Sequence, residues 1–149
     1  MAIFDLDIRQ PQHHSDDEAE SFGDMSAEEI MEKFNAMNWK QLQILMLQMR
    51  GGKAVFTATD IEQNLAMQVS LIEMPESGAL AFDVESDIEV EVEQSNLFGL
   101  LKYHAKKDVA LPHLSLTETR EMLDAFTHQE LDKIRQFYLL KTHVSAAEQ

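Results

Sequence analysis

The hydrophobic positions of this chain follow two different periods. Ile30, Met31, Phe34 and Met37 recur at helical spacing after Ser26, and Ser26 with Glu29 has the pattern of a capping box. A second helix is expected from Trp39 to Met49, opened by Asn38 and stopped before Gly51-Gly52. Leu42, Ile44, Leu45, Met46, Leu47 and Met49 cover more than half of its circumference, which predicts a central buried helix. Its methionines also fit a second reading, an adaptable binding surface.

From Lys53 onward the period falls to two. Ala54 to Thr59 reads as a short strand. Over Asn64 to Met74, Leu65, Met67, Val69 and Leu71 share one face. Pro75-Glu76-Ser77-Gly78 carries turn chemistry, so a hairpin is expected. The next strand runs from Ala79 to Glu93. That is long for one strand, and a bulge or turn at Ser86-Asp87 is expected to divide it.

Helical spacing returns at Leu97, Leu100, Leu101 and His104, predicting a short helix that ends at Lys106-Lys107, with a loop holding Pro112 after it. Ser115 with Glu118 forms a second capping box, opening a helix to Phe126. Thr127 with Glu130 forms a third, opening a helix from His128 to Thr142 with Leu131, Ile134, Phe137, Tyr138 and Leu140 on its core face.

These elements define an α+β fold. An antiparallel sheet of about three to four strands packs its apolar face on N-terminal and C-terminal helices. The expected domain spans 26–144. Residues 1–25 read as an acidic, flexible N-terminal arm and 145–149 as a frayed tail. One stretch of the arm alternates: Ile3-Phe4-Asp5-Leu6-Asp7-Ile8 fits a short strand, a docking peptide, or an arm packed on its own domain.

Composition narrows the function classes. The chain of 149 residues carries a net charge of −15, which argues against direct binding of nucleic acid or of an anionic membrane. With no cysteine, disulfides, thiolate metal sites and cysteine nucleophiles are excluded. The apolar runs are too short to cross a bilayer and the acidic start does not resemble a signal peptide, so a cytoplasmic location is expected.

The charge is unevenly placed. Residues 1–35 hold ten acids and two bases, and 53–93 hold ten acids and one base, whereas 94–149 hold seven of each. The acidity therefore belongs to the arm and the strand-rich middle. Within Ala79–Glu93, Leu80, Phe82, Val84, Ile88, Val90 and Val92 alternate with Asp83, Glu85, Asp87, Glu89, Glu91 and Glu93. Such a comb places carboxylates about 6.7 Å apart along one face. Each neighbouring pair then repels by roughly 0.6 kcal/mol in water before salt screening.

Three readings fit the comb. It is a solvated sheet face, or a docking surface for a basic partner, or a calcium site. The last needs converging oxygens, which a strand spreads along a line. Nucleic-acid mimicry is a sharper form of the second reading.

Signatures of catalysis are missing. There is no phosphate-binding loop, G-x-G-x-x-G, G-x-S-x-G or H-E-x-x-H pattern. His13-His14 beside Asp16-Asp17 fits a weak metal chelate or incidental tail composition. His104 reads as a helix C-terminal residue and His128 as a residue at a helix start. Lys102, Lys106 and Lys107 read as one basic cluster, facing an anionic partner or the comb of the same molecule.

The leading expectation is a non-enzymatic interaction module without cofactor or metal. It binds a basic protein surface through Asp83, Glu85, Asp87, Glu89, Glu91 and Glu93, and one form is an inhibitor acting by nucleic-acid mimicry. An adaptor or chaperone using the apolar arm or the Met-rich helix is the second class, and a metal-dependent enzyme the third. Oligomeric state is not legible.

Overall fold

Alternation with a period of two extends well beyond the middle segment. The computed structural model describes residues 2–13, 18–49, 51–75, 78–96 and 101–147, with backbone alone for 93–96, 101–105 and 143–147. Its elements are β1 (Phe4–Arg9), β2 (Glu20–Met25), α1 (Ala27–Ala36), α2 (Trp39–Gln48), β3 (Val55–Asp60), β4 (Leu65–Leu71), β5 (Ala81–Asn96), β6 (Leu101–Ser115), α3 (Leu116–Thr127) and α4 (Leu131–Ala147). The strands form one antiparallel sheet in the order β2-β1-β3-β4-β5-β6. Among the described residues, no helix is long and apolar enough to cross a membrane.

The α+β class is as expected, but the sheet has six strands where three to four were expected. Two come from the N-terminal 25 residues. Phe4–Arg9 is an interior strand of this sheet and Glu20–Met25 its edge, so these segments are strands of the domain and not an arm beside it. Phe4, Leu6 and Ile8 are buried within the same chain, which places the apolar side of the Ile3–Ile8 stretch in cis. Asp16, Asp17 and His14 lie outside the described residues.

Phe4–Arg9 agrees with the short-strand reading of Ile3–Ile8, whereas β6 was not expected as a strand. Leu101 to Lys107 is strand and not helix, paired residue by residue with Val90–Asn96, and the expected loop around Pro112 is the same strand continuing. Leu97 and Leu100 lie outside the described residues. Pairing with a long neighbour overrides the local helical spacing. Pro112 is tolerated because β6 is an edge strand and the proline sits in a bulge.

One face of the sheet carries the core. Phe4 and Leu6 from β1, Phe56 from β3, Met67 and Val69 from β4, and Phe82 and Val84 from β5 are fully buried. Against them lie Ile30 and Phe34 of α1, Trp39 and Met46 of α2, Leu123 and Phe126 of α3, and Ile134 of α4. The Phe34 ring lies 5.4 Å from Phe56 and 5.1 Å from Trp39, and Trp39 meets Phe82 edge-on at 5.2 Å. The Trp39 indole donates to the Phe34 carbonyl, which satisfies its buried N–H.

Both capping boxes at Ser26–Glu29 and Ser115–Glu118 are closed in both directions. Asn38 accepts from the Gln41 N–H to open α2. The third box does not form. Thr127 is the last residue of α3, and its hydroxyl donates back to the Asp124 carbonyl. The helix stops because Gln129 takes the left-handed conformation at φ 58°. Glu130 N–H then reaches the Ala125 carbonyl and Gln129 N–H the Phe126 carbonyl, the two bonds of a Schellman ending.

The expected central burial of α2 is corrected as well. Trp39, Leu42 and Met46 are buried, but Ile44 and Leu47 are about half exposed at 51% and 53%. Only one side of α2 meets the sheet.

Candidate interaction surface

The face opposite the helices has no element packed over it among the described residues. Register fixes its layout. Asp7 of β1, Thr57 of β3, Gln68 of β4, Glu85 of β5 and Ala110 of β6 fall in one row across the sheet. The row on one side is Arg9, Val55, Ser70 and Asp83. On the other side, Asp5 pairs with Thr59 and Thr59 with Ala66, whose N–H is held by Asp87.

The comb keeps its face along β5. Phe82, Val84, Ser86, Ile88 and Val90 are buried, while Glu85, Asp87, Glu89 and Glu91 are exposed and Asp83 is half-buried. The side chain of Glu93 lies outside the described residues, though its backbone pairs with His104. The expected bulge is present: Ser86 pairs with Val109 and Glu89 with Asp108, so Asp87 and Ile88 are extra residues in β5.

Among the described comb side chains, Asp87 and Asp83 bind backbone. Asp87 Oδ1 accepts from Ala66 N–H at 2.8 Å, and Ser86 Oγ donates to the Ala66 carbonyl at 2.6 Å. Side chains of the bulge thus satisfy the end of the β4–β5 ladder. Asp83 Oδ1 accepts from His113 N–H at 3.1 Å. His113 stands at φ 56°, in a second bulge where Pro112 and His113 oppose Asp83. Asp83 and Asp87 are therefore committed to strand geometry.

Glu85, Glu89 and Glu91 extend into solvent. Glu89 lies directly opposite Asp108, a like-charge pair that costs stability. Lys106 Nζ approaches Glu89 Oε2 at 3.9 Å with both side chains exposed, a contact of little energetic weight. Lys106 and Lys107 occupy a strand and not a helix, so they point to opposite faces and form no helical cluster.

The fold adds carboxylates that the sequence reading left in the arm. Asp5 and Asp7 project from β1 onto the same face, both exposed. Asp7 Oδ1 accepts from the Ser21 hydroxyl at 2.6 Å. The strict alternation of Phe4-Asp5-Leu6-Asp7-Ile8 was the available signal. Between β1 and β5 the floor is neutral: Thr57, Thr59, Ala66, Gln68 and Ser70.

Two shallow cavities indent this floor. One of about 460 Å³ is lined by Asp7, Arg9, Ala19, Lys53, Val55, Thr57 and Gln68. The other, about 330 Å³, is lined by residues that include Thr57, Ala66, Gln68, Glu85, Asp87 and Asp108. They share Thr57 and Gln68, so they meet over β3 and β4, the first reaching toward β1 and the second across β5 to β6. Arg9 and Lys53 make the first cationic.

Among the described residues, no group of three or more His, Asp or Glu side chains is placed to hold a metal ion. The buried carboxylate Asp60 accepts from Gln63 N–H and from the Gln129 side chain, a structural role. His128 sits at the end of α3 and not at a helix start, its Nδ1 2.8 Å from the Asp124 carbonyl. Compared with known proteins, the chain matches no family model, no curated protein and no solved structure.

Proposed function

We propose that this protein is a non-enzymatic interaction module that binds a basic protein surface through the acidic strand face of Asp83, Glu85, Asp87, Glu89, Glu91 and Glu93. The observation that carries the reading is the uncovered face of the sheet, with Glu85, Glu89 and Glu91 exposed along it. Asp83 and Asp87 shape the strand that presents them. Surface carboxylates of this kind raise the association rate and impose salt sensitivity more than they raise affinity. Inhibition of a nucleic-acid-binding protein by mimicry is one concrete form, and a cytoplasmic setting belongs to the same proposal.

The test is charge reversal away from the bulges. Glu89→Lys with Glu91→Lys abolishes capture of the native partner at low salt while the folded state is retained. Unchanged capture by the double variant defeats the reading. The native complex also dissociates at high salt.

A second reading is favoured by α2, which exposes Ile44 and Leu47. An assembly role through that helix predicts that Ile44→Gln with Leu47→Gln breaks a complex that charge reversal on β5 leaves intact.

A further inference from the structure

We propose that the open face receives a basic α-helix of a partner protein, lying along the strands over β3 and β4 in the trough between the carboxylates of β1 and those of β5. The proposal rests on the acidic-surface reading above and specifies the shape of the partner. It comes from the second acidic wall that β1 contributes.

The dimensions select a helix. β1 and β5 are three strand spacings apart, about 14 Å. A helix with side chains is about 10–12 Å across, so it fits between the two walls. The floor beneath it is uncharged, with Thr57, Thr59 and Ala66 half-buried and Gln68 its one long exposed side chain, an amide able to hydrogen-bond to the helix's polar side chains. Alternate wall residues such as Asp5 and Asp7, or Glu85 and Asp87, recur about every 6.7 Å. Residues four apart on a helix recur every ~6 Å. Lys or Arg at that spacing on both flanks therefore meets both walls, whereas a basic strand or loop fills one wall and leaves the other unmatched.

The charges at the trough's end set the direction. Arg9 and Lys53 line the larger cavity at the end of β1 and the beginning of β3. The other end, around Asp5 and Asp87, is acidic. The negative C-terminal end of a helix is stabilised by cations and its positive N-terminal end by anions. The docked helix thus points its C-terminus at the exposed Lys53.

The test uses the full chain, isotope-labelled, and two synthetic probes at low salt. One is a stapled alanine-based helix with lysines on two opposed flanks. The other has the same lysine content broken by prolines. The stapled helix shifts the amide resonances of Thr57, Thr59 and Gln68 and binds more tightly than the broken peptide. Asp5→Asn with Asp7→Asn on one wall, and Glu85→Gln with Glu89→Gln on the other, each weaken it about fivefold, the effect of two exposed ion pairs. A nitroxide on the C-terminal end of the helix broadens Lys53 and Val55.

Equal binding of the broken peptide overturns the proposal, as does absence of binding by the stapled helix. Loss with the β5 pair but not the β1 pair overturns the helix in the trough while leaving the acidic strand as a binding surface. No change with either pair removes both readings. Broadening at Thr59 and Ala66 by the C-terminal nitroxide overturns the stated direction.

Discussion

The side-chain amide of Gln129 donates to the buried carboxylate of Asp60 at 2.9 Å, from a backbone position that glycine holds more easily. The bond ties the α3–α4 corner to the turn after β3, where Asp60 also accepts from Gln63 N–H. A left-handed residue with a side chain costs roughly 1–2 kcal/mol, and a hydrogen bond to a charged group returns about the same or more. Gln129→Gly therefore changes stability by no more than about 1 kcal/mol, because strain and hydrogen bond leave together. Asp60→Ala leaves two donors without their acceptor and costs about 3 kcal/mol. Urea denaturation of both variants checks the pair.

The comb carboxylates separate by role. Asp83→Ala removes the acceptor for His113 N–H and costs about 1–2 kcal/mol, whereas Glu85→Ala changes stability by less than about 0.5 kcal/mol. His113→Gly relieves the positive φ and raises stability by up to ~1 kcal/mol. Equal effects of the Asp83 and Glu85 substitutions in chemical denaturation contradict this division.

The Glu89–Asp108 pairing predicts a stabilising change on the open face. Asp108→Thr removes a like-charge cross-strand pair and introduces a better strand former. The expected gain is about 0.5–1 kcal/mol, larger at low salt than at high salt. Thermal unfolding at two ionic strengths measures it.

Glu118 supplies the pH dependence. Burial works against its ionisation, but Lys141 at 2.7 Å, together with the backbone and hydroxyl of Ser115, outweighs this and holds the carboxyl below its ordinary range. A carboxylate lowered on folding contributes its stability above the unfolded value and loses it as pH falls through the folded value. The α3–α4 contact thus weakens in acid. Lys141→Met flattens this acid-side dependence, read as the midpoint of unfolding against pH; an unchanged slope contradicts the assignment.

Much of the fold was legible because local and tertiary preferences agree. The two closed capping boxes, the Asn38 cap, the face shared by Leu65, Met67, Val69 and Leu71, and the bulge at Ser86-Asp87 each follow from residues close in sequence. The misreadings arise where distant pairing decides. Leu101 and His104 sit at helical spacing but pair with Asn96 and Glu93. Thr127 and Glu130 match a capping box, but Gln129 turns the chain between them, its side chain held by Asp60, far away in sequence. At the candidate site, the alternation on β5 was visible. That Asp83 and Asp87 hold backbone, and that Asp5 and Asp7 share the face, depends on neighbours supplied by register alone.

The position of β1 between β2 and β3 has a consequence for biosynthesis. A ribosome delivers this interior strand before its partner: β1 can pair with β2 as an early hairpin, but its other edge waits until Val55 to Asp60 has been made. During that interval α1 and α2 are made, but α3 is not, so Phe4 still lacks the Phe126 ring that later packs 6.0 Å from its own. Asp5 and Asp7 interleave charge with Phe4, Leu6 and Ile8, the pattern that in general disfavours self-association of an exposed strand.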